Sequence, residues 1–309
     1  MIFEAMSEKF LGLLRDESRI EGYAEAVARP RDTAQLGQAV EEAKQNGKQI
    51  TVQGAATGVE GKGVPQGGYL ISTRGMNQIL GLREDGGKLY LRVQAGVTLE
   101  QAEEYLRRTI NGRAYFFSPN PTEKSATLGG SHASDAKGSF GNVRSQVNSI
   151  LWVEGIIAEM ELILQPVPKS IWGVLLFFTP PGDAREFAQA IMQIDFAGHA
   201  HFDAQALELL RGKHELPKEA NEALYLELSC DDENNLDDVL AEILELYLAH
   251  GGCEEYAWAA EGLTEMEKFR SLCHAVPELT NSELDKAGKV QPGLCKAALD
   301  RLYMSLDQI

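Results

Sequence analysis

The residues best suited to chemistry form a glycine-rich loop, GAATGVEGKGVP, at positions 54–65. Glycine lets backbone amides approach a ligand closely and point into one concavity, as binding of a pyrophosphate requires. Thr57 could add a hydroxyl donor. The spacing is neither GxGxxG nor that of a P-loop, and a glycine-rich loop alone is equally typical of a plain surface turn. The pattern therefore leaves open a phosphate-binding loop or an ordinary turn.

A second stretch, SPNPTEKSATLGGSHASDAKG at 118–138, is rich in prolines, hydroxyls and glycines. We expect such a segment to be ordered only if it packs against a ligand or another part of the protein. Its small side chains would let a flat ring or a phosphate pack on the main chain. The alternative is a long connection that binds nothing.

Predicted helices and strands lead into both stretches. The segment RDTAQLGQAVEEAKQN at 31–46 has apolar residues at helical spacing, with Asp32 or Thr33 as the cap and Gly47 as the end. The run 49–52 predicts a strand that enters the glycine-rich loop. Further predictions are strands at 69–73 and 88–97, a helix from Thr98 to Arg108 with Gln101 completing a capping box, and the strands SILWVEG and EMELILQPV.

The second half of the chain, after a boundary expected near 165–170, has the order of a ferredoxin-like α+β unit. The predicted elements are strand 171–178, helix 184–194, strand 201–209, strand 223–230, helix 236–250 and a strand near 256–259. This order is the split βαββαβ pattern. The tail, 261–309, is predicted to be mostly helical.

Composition narrows the possible ligands. The formal net charge of −17 argues against a nucleic-acid partner, since such binding needs clustered Lys and Arg. The longest apolar run, 171–178, is too short to cross a bilayer, and the N-terminus lacks a basic segment followed by an apolar one. The four cysteines form no Cys-x-x-Cys pair, so we expect reduced thiols and no metal site. A cytoplasmic protein that binds small molecules or basic protein surfaces is expected.

Taken together, these segments resemble the FAD-binding domain of the vanillyl-alcohol oxidase and p-cresol methylhydroxylase superfamily. ARPRDTAQLGQAVEEAKQNGKQITVQGAATGVEGKGVP is similar to the first helix, strand and pyrophosphate loop of its FAD-linked oxidases, and FFSPNPTEKSATLGGSHASDAKGS to their second flavin-contacting segment. These relatives act on D-lactate, glycolate and other 2-hydroxy acids. The resemblance implies a two-subdomain FAD-binding domain at 1–167, followed at 168–309 by a truncated, ferredoxin-like substrate or cap domain.

The resemblance also implies FAD as cofactor and hydride transfer to flavin from a CH–OH group of a small-molecule substrate, with a 2-hydroxy acid as its class. A redox partner subunit or a homo-oligomer is a compatible assembly. The implied FAD-binding residues are Gln53, Gly54, Ala55, Ala56, Thr57, Gly58, Val59, Gly61, Pro119, Thr122, Ser125, Thr127, Leu128, Gly129, Gly130, Ala133, Ser134 and Gly138.

Three departures from the family pattern limit what the resemblance implies. Relatives have several dozen more residues where this chain has only Glu154 to Ile157, which is either a tight hairpin turn or the relic of a flavin-site motif. Cys273 stands where relatives carry an arginine suited to a substrate carboxylate. The sequence up to Ile309 also lacks the histidine elements of relatives. An alternative is therefore a catalytically reduced member that serves as an FAD-binding subunit or scaffold, and a third is a chain that binds no flavin.

The histidines offer weaker candidates. His199 and His201, two apart on a strand, could hold a metal or relay protons, but a solvated strand edge is favoured because no third ligand is visible. His274 could lower the pKa of Cys273, although a core or interface pair is favoured. His132 could carry flavin covalently, as a histidine does in some superfamily members.

Overall fold

The computed structural model describes residues 1–109, 115–119, 121, 123–138, 141–179, 183–230, 233–288 and 293–309. The chain divides into two compact units. The first is formed mainly by Met1–Lys137 and Gly141–Val167, and the second by Pro168–Lys289 and Leu294–Ile309. The Thr122 and Asn120 positions of the second stretch lie outside the described residues.

The first unit begins with a four-stranded sheet and one long helix. Its elements are β1 (Glu4–Ala5), β2 (Ala26–Ala28), α1 (Thr33–Gln45), β3 (Ile50–Gln53) and β4 (Tyr69–Ser72). The sheet order is β1-β2-β4-β3, with β2, β4 and β3 parallel. Leu36, Val40 and Ala43 of α1 are buried, and Asp32 Oδ1 accepts from the Gln35 amide at 2.8 Å. The predicted helix and its cap are confirmed.

A second, antiparallel sheet completes this unit. Its elements are β5 (Ile79–Asp85), β6 (Lys88–Gln94), α2 (Leu99–Thr109), β7 (Tyr115–Phe116), α3 (Leu128–Ala133), β10 (Val147–Val153) and β11 (Ile156–Pro166), with the short pair β8 (Lys137–Gly138) and β9 (Gly141–Asn142) before β10. The order is β10-β11-β6-β5, with β7 beside β11. The capping box is confirmed: the Thr98 amide donates to Gln101 Oε1 at 3.0 Å, and the Gln101 amide to Thr98 Oγ1 at 3.2 Å.

Between β10 and β11 the chain makes a tight hairpin turn. Val153 pairs with Ile156, and the two intervening residues, Glu154 and Gly155, both have positive φ, at 50° and 84°. Positive φ at both central positions is the requirement of the turn that matches strand twist in two-residue hairpins. Of the two readings of this stretch, the hairpin turn is therefore the one observed.

The second unit is a four-stranded antiparallel sheet covered by helices on both faces. Its elements are β12 (Ser170–Phe178), α4 (Ala184–Ala190), β13 (Gly198–Phe202), α5 (Ala204–Arg211), β14 (Glu222–Cys230), α6 (Glu233–Ala249), β15 (Ala257–Glu261), α7 (Gly262–Lys286) and α8 (Leu294–Leu302). The order β13-β14-β12-β15 is that of a ferredoxin-like sheet. Residues of α4 and α6 pack on one face, and those of α5, α7 and α8 on the other. The α+β fold class is confirmed.

The sequence prediction of a strand over 201–209 is wrong, and strand β5 was not predicted. The strand expected at 201–209 ends at Phe202, because Asp203 caps α5 by accepting from the Ala206 amide at 2.8 Å. Strand β5 was missed, since Gly81, at φ 123° beside a register shift, interrupts the alternation that marks a strand. Among the described residues, no helix is both long and apolar enough to span a membrane.

Candidate functional site: two glycine-bearing segments of the first unit

The base of the glycine-rich loop is closed by the side chain of Gln53. This side chain is buried, and its Nε2 donates to the Leu13 carbonyl at 3.0 Å and to the Gly63 carbonyl at 2.9 Å. One amide group thus joins the start of the loop to its end and to the N-terminal segment. Gln53, predicted as a cofactor-binding residue, is placed where its side chain holds the loop in shape.

The glycine-rich loop and the 118–138 stretch meet at Thr127. A Cβ built on Gly54 would overlap Thr127 Oγ1, so only glycine allows this approach. Thr127 is buried and also caps α3, since its Oγ1 accepts from the Gly130 amide at 3.3 Å. A Cβ on Gly130 would lie 2.9 Å from the same oxygen. Two segments more than sixty residues apart in sequence therefore form one small-residue surface.

Helix α3 is fixed against β6 and the start of α2. The Leu128 amide donates to the Val97 carbonyl at 2.8 Å and the Gly129 amide to the Ala95 carbonyl at 2.9 Å. A Cβ on Gly129 would lie 2.7 Å from Ala95 Cβ, so glycine is required for this close packing. Leu128 is fully buried in the core of the antiparallel sheet. Leu128 and Gly129, both predicted as site residues, therefore position α3.

The other predicted residues differ in exposure. Ser125 is exposed, and its amide and hydroxyl donate to Glu123 Oε1 at 2.9 and 2.5 Å, so both groups are used within a local turn. Ala56 has a positive φ of 62°, which is uncommon for a residue with a side chain. Partly exposed positions are Gly54, Ala55, Ala56, Thr57, Val59, Gly61 and Gly130; exposed ones are Gly58, Ala133 and Ser134; Pro119 and Gly138 are buried.

The N-terminal segment 16–20 also contacts the loop, and sequence reasoning did not single it out. The Ser18 amide donates to the Gly58 carbonyl at 3.1 Å. Asp16 is buried, and its Oδ1 accepts from the Ser18 amide at 2.9 Å and from the Ser18 hydroxyl. A Cβ on Gly58 would lie 3.2 Å from Asp16 Oδ2. The Asp-x-Ser pattern at 16–18 is a local turn signal that could have drawn attention to this segment.

His132 lies near the C-terminal end of α3, beside Arg144 and Asp135. Burial lowers the pKa of this imidazole, and the positive charge of Arg144 lowers it further, while Asp135 acts in the opposite direction. Arg144 donates to the His132 carbonyl at 3.0 Å and to the Ala133 carbonyl at 2.9 Å, and so satisfies the end of the helix. The ring is therefore favoured in its neutral form.

In the second unit, α7 buries an ion pair against the sheet. Arg270 Nε and Nη2 donate to Glu227 Oε1 and Oε2 at 2.9 and 2.8 Å, and Glu227 is fully buried. Burial raises the pKa of the Cys273 thiol, and the nearby Glu227 carboxylate adds to that effect. Thiol activation by His274 is wrong, since His274 Nε2 lies 3.7 Å from Glu278 Oε1 and the thiol is held protonated. The core reading of Cys273 is the one observed.

The raised pKa of Cys273 predicts an unreactive thiol. At pH 8 iodoacetamide should modify the exposed Cys253 within minutes and leave Cys273 unmodified in the folded protein, because alkylation needs an accessible thiolate. Peptide mass spectrometry after timed labelling measures both sites. Labelling in urea is the control, in which both cysteines should react. Equal native rates at the two sites would contradict the burial of Cys273.

The expectation of a solvated edge for the His199–His201 pair is wrong for His201. His199 Nε2 lies 2.9 Å from the Met304 carbonyl. His201 is 7% exposed, so it does not lie at a solvated edge. Within the described ranges, no group of three or more His, Cys, Asp or Glu side chains could hold a metal ion.

The two segments of the first unit fit a flavin dinucleotide. They offer small-residue main chain from both sides of Thr127, with the Gly54 to Thr57 backbone partly exposed. The carboxylate oxygen Asp16 Oδ2 and the hydroxyl Ser131 Oγ are buried beside them with no hydrogen-bond partner among the described residues. Such orphaned polar atoms are expected where a ligand supplies the partner. The small residues of the two segments and these orphaned polar atoms are compatible with binding of a flavin dinucleotide.

Comparison with known proteins shows a similarity to FAD-binding domains in the first unit. Residues 24–162 match the sequence profile of the FAD binding domain family. This segment is similar to FAD-binding domains, and the cofactor indicated is FAD. In fold the chain is similar to p-cresol methylhydroxylase with substrate bound, with a TM-score of 0.66, 14% identity, and coverage of 97% of this chain and 69% of that one. Alkyldihydroxyacetonephosphate synthase gives a TM-score of 0.65 at 16% identity, over 85% of this chain and 60% of that one.

Relatives of known activity are dehydrogenases. D-lactate dehydrogenase of Anaerostipes hadrus is 26% identical over 312 residues, covering 80% of this chain and 63% of that protein. D-2-hydroxyglutarate dehydrogenase of Escherichia coli K12 is 30% identical over 167 residues, covering 52% of this chain and 16% of that protein. The chain therefore spans less than two thirds of the length of these relatives.

Proposed function

We propose that this chain is an FAD-dependent oxidoreductase that oxidises the CH–OH group of a 2-hydroxy acid. The observation that carries the proposal is the meeting of two distant glycine-bearing segments at Thr127, where Gly54 and Gly130 both approach one hydroxyl. Bound FAD would supply the hydride acceptor. The family match over residues 24–162 supports the cofactor.

Each unit has a proposed role. Residues 1–167 would bind FAD, with the backbone of the glycine-rich loop holding the pyrophosphate and the segment from Pro119 to Gly138 contacting the cofactor from the other side. Residues 168–309 would form the substrate or cap domain. The support for the first role is that Gly54 and Gly130, one from each segment, both lie against Thr127 Oγ1.

The substrate class rests on the relatives. D-lactate and D-2-hydroxyglutarate, the compounds in their names, are both 2-hydroxy acids of D configuration. They share the hydroxyl-bearing carbon next to a carboxylate and differ in the rest of the molecule. We infer a D-2-hydroxy acid as the class.

A second candidate is an FAD-binding subunit or scaffold that does not turn over substrate by itself. The buried pair on α7 favours it, because Arg270 Nε and Nη2 donate to Glu227 and the neighbouring Cys273 is buried and protonated. Neither side chain can then bind a substrate carboxylate as a free guanidinium would. A redox partner subunit or a homo-oligomer, and a cytoplasmic location, are further parts of this proposal; the acidic charge and the thiol form of the cysteines are compatible with both.

The absorption spectrum of the flavin measures both cofactor binding and reduction by substrate. The purified protein, supplied with FAD, should show oxidised-flavin absorption, and anaerobic mixing with D-lactate, D-2-hydroxyglutarate or glycolate should bleach it. L-lactate is the matched control and should leave the spectrum unchanged. Bound FAD that no acid bleaches would favour the second candidate. A protein that binds no FAD would refute both.

A further inference from the structure

The carboxylate of Asp16 is buried beside the glycine-rich loop with one oxygen lacking a partner. The side chain is 7% exposed. Oδ1 accepts two hydrogen bonds from Ser18, whereas Oδ2 has none from any described residue. Leaving a buried carboxylate oxygen without a donor costs free energy, so a donor is expected from outside the described residues.

Asp16 Oδ2 lies next to Gly58 of the glycine-rich loop. Of the atoms around Gly58, Asp16 Oδ2 is the nearest to the position that a Cβ would take, at 3.2 Å. The turn that carries Asp16 is docked on the same residue, because the Ser18 amide donates to the Gly58 carbonyl at 3.1 Å. The Arg19 amide closes the turn on the Asp16 carbonyl at 3.2 Å, and Arg19 has a φ of 65°. Hydrogen bonds within residues 16–19 and to Gly58 therefore hold the Asp16 carboxylate in place beside the loop.

The chemistry of a dinucleotide limits which of its groups can lie next to Asp16 Oδ2. Two anions repel, so Oδ2 cannot accept anything from a phosphate oxygen. A dinucleotide carries hydroxyl donors on either side of its pyrophosphate, on the ribose and on the ribityl chain. We propose that Asp16 Oδ2 accepts a hydrogen bond from one of these sugar-type hydroxyls when FAD is bound, which makes Asp16 a cofactor-binding residue. This inference rests on the proposed FAD binding.

The direction in which one substitution changes FAD affinity distinguishes a hydrogen-bonding role of Asp16 from a purely electrostatic one. Asp16→Asn removes a negative charge near the pyrophosphate, which by charge alone would tighten binding. Loss of a charge-assisted hydrogen bond would weaken binding instead. Glu17→Gln is the matched control, because it removes the same charge from the adjacent, exposed position.

The experiment measures the dissociation constants of FAD, ADP, FMN and inorganic pyrophosphate for wild-type, Asp16→Asn and Glu17→Gln proteins by calorimetry. We expect Asp16→Asn to weaken FAD binding about tenfold and Glu17→Gln to change it less than about twofold. Pyrophosphate affinity should not fall. A loss confined to ADP would assign the ribose hydroxyl, and one confined to FMN the ribityl hydroxyl.

A second measurement varies the ligand and uses only wild-type protein, so it does not depend on whether the Asp16→Asn variant folds. Wild-type protein should bind at least one ADP or FMN analogue that lacks a single hydroxyl about tenfold more weakly than its parent. Unchanged affinity for every analogue, or an Asp16→Asn protein that folds and binds FAD as tightly as wild type, would overturn the role of Asp16 while leaving the proposed function intact. Failure of wild-type protein to bind FAD would refute the proposed function itself.

Discussion

Replacing Gly54 with valine should abolish FAD binding. The first atom of any side chain at this position would overlap Thr127 Oγ1, so the two segments would be pushed apart at the point where they meet. Overpacking of this kind costs about 1–3 kcal/mol and displaces backbone. Equilibrium dialysis with FAD measures the loss, and a thermal scan shows whether the rest of the protein still unfolds cooperatively.

Two further variants test the cause. Gly12→Val makes the same substitution where no atom lies within 4 Å of the new Cβ, and it should bind FAD as wild type does. Adding Thr127→Ala to a Gly54→Ala variant removes the overlapping hydroxyl, so the double variant should bind FAD better than Gly54→Ala alone. Normal binding by Gly54→Val would show that the contact with Thr127 does not shape the site.

Replacing Glu227 with methionine should destabilise the second unit by about 3–5 kcal/mol, the usual cost of leaving one member of a buried ion pair without its partner. Arg270 would remain largely buried with no carboxylate to accept from Nε and Nη2. Urea unfolding followed by tryptophan fluorescence measures the change. A Trp152→Phe background restricts the signal to Trp172 and Trp258, both in the second unit.

The double variant Glu227→Met with Arg270→Met should recover much of the lost stability, since apolar replacement of both charges removes the unpaired group. Glu283→Met breaks the exposed pair with Lys286 on the same helix and should have no measurable effect. If Glu227→Met were as stable as this control, the buried pair would not hold α7 against the sheet.

Local patterns made much of the fold predictable from sequence. The caps at Asp32 and Thr98 act over three residues, so the residues that form them are visible in the sequence. The order of the four strands of the second unit likewise follows from hydrophobic periodicity, whereas helix α5 was not predicted. The glycine-rich loop was ambiguous alone, and the family resemblance decided its interpretation.

Other features depend on contacts between distant residues. No spacing rule shows that Gly54 must approach Thr127, or that Asp16 is buried against Gly58, because these contacts arise only after the chain folds. The segment 201–209 was mistaken for a strand because strand β13 continues directly into α5 at Asp203, and both elements are apolar. The buried Glu227 was missed because an acidic residue is expected at the surface.

The Gln53 side chain gives the glycine-rich loop a preorganised shape. Its two hydrogen bonds join residue 53 to the Leu13 and Gly63 carbonyls, so contacts within the chain itself hold both ends of the loop. Ordering a flexible loop during association would subtract conformational entropy from the affinity. Because that entropy is already lost in the free protein, cofactor association should be fast and limited by encounter rather than by loop closure.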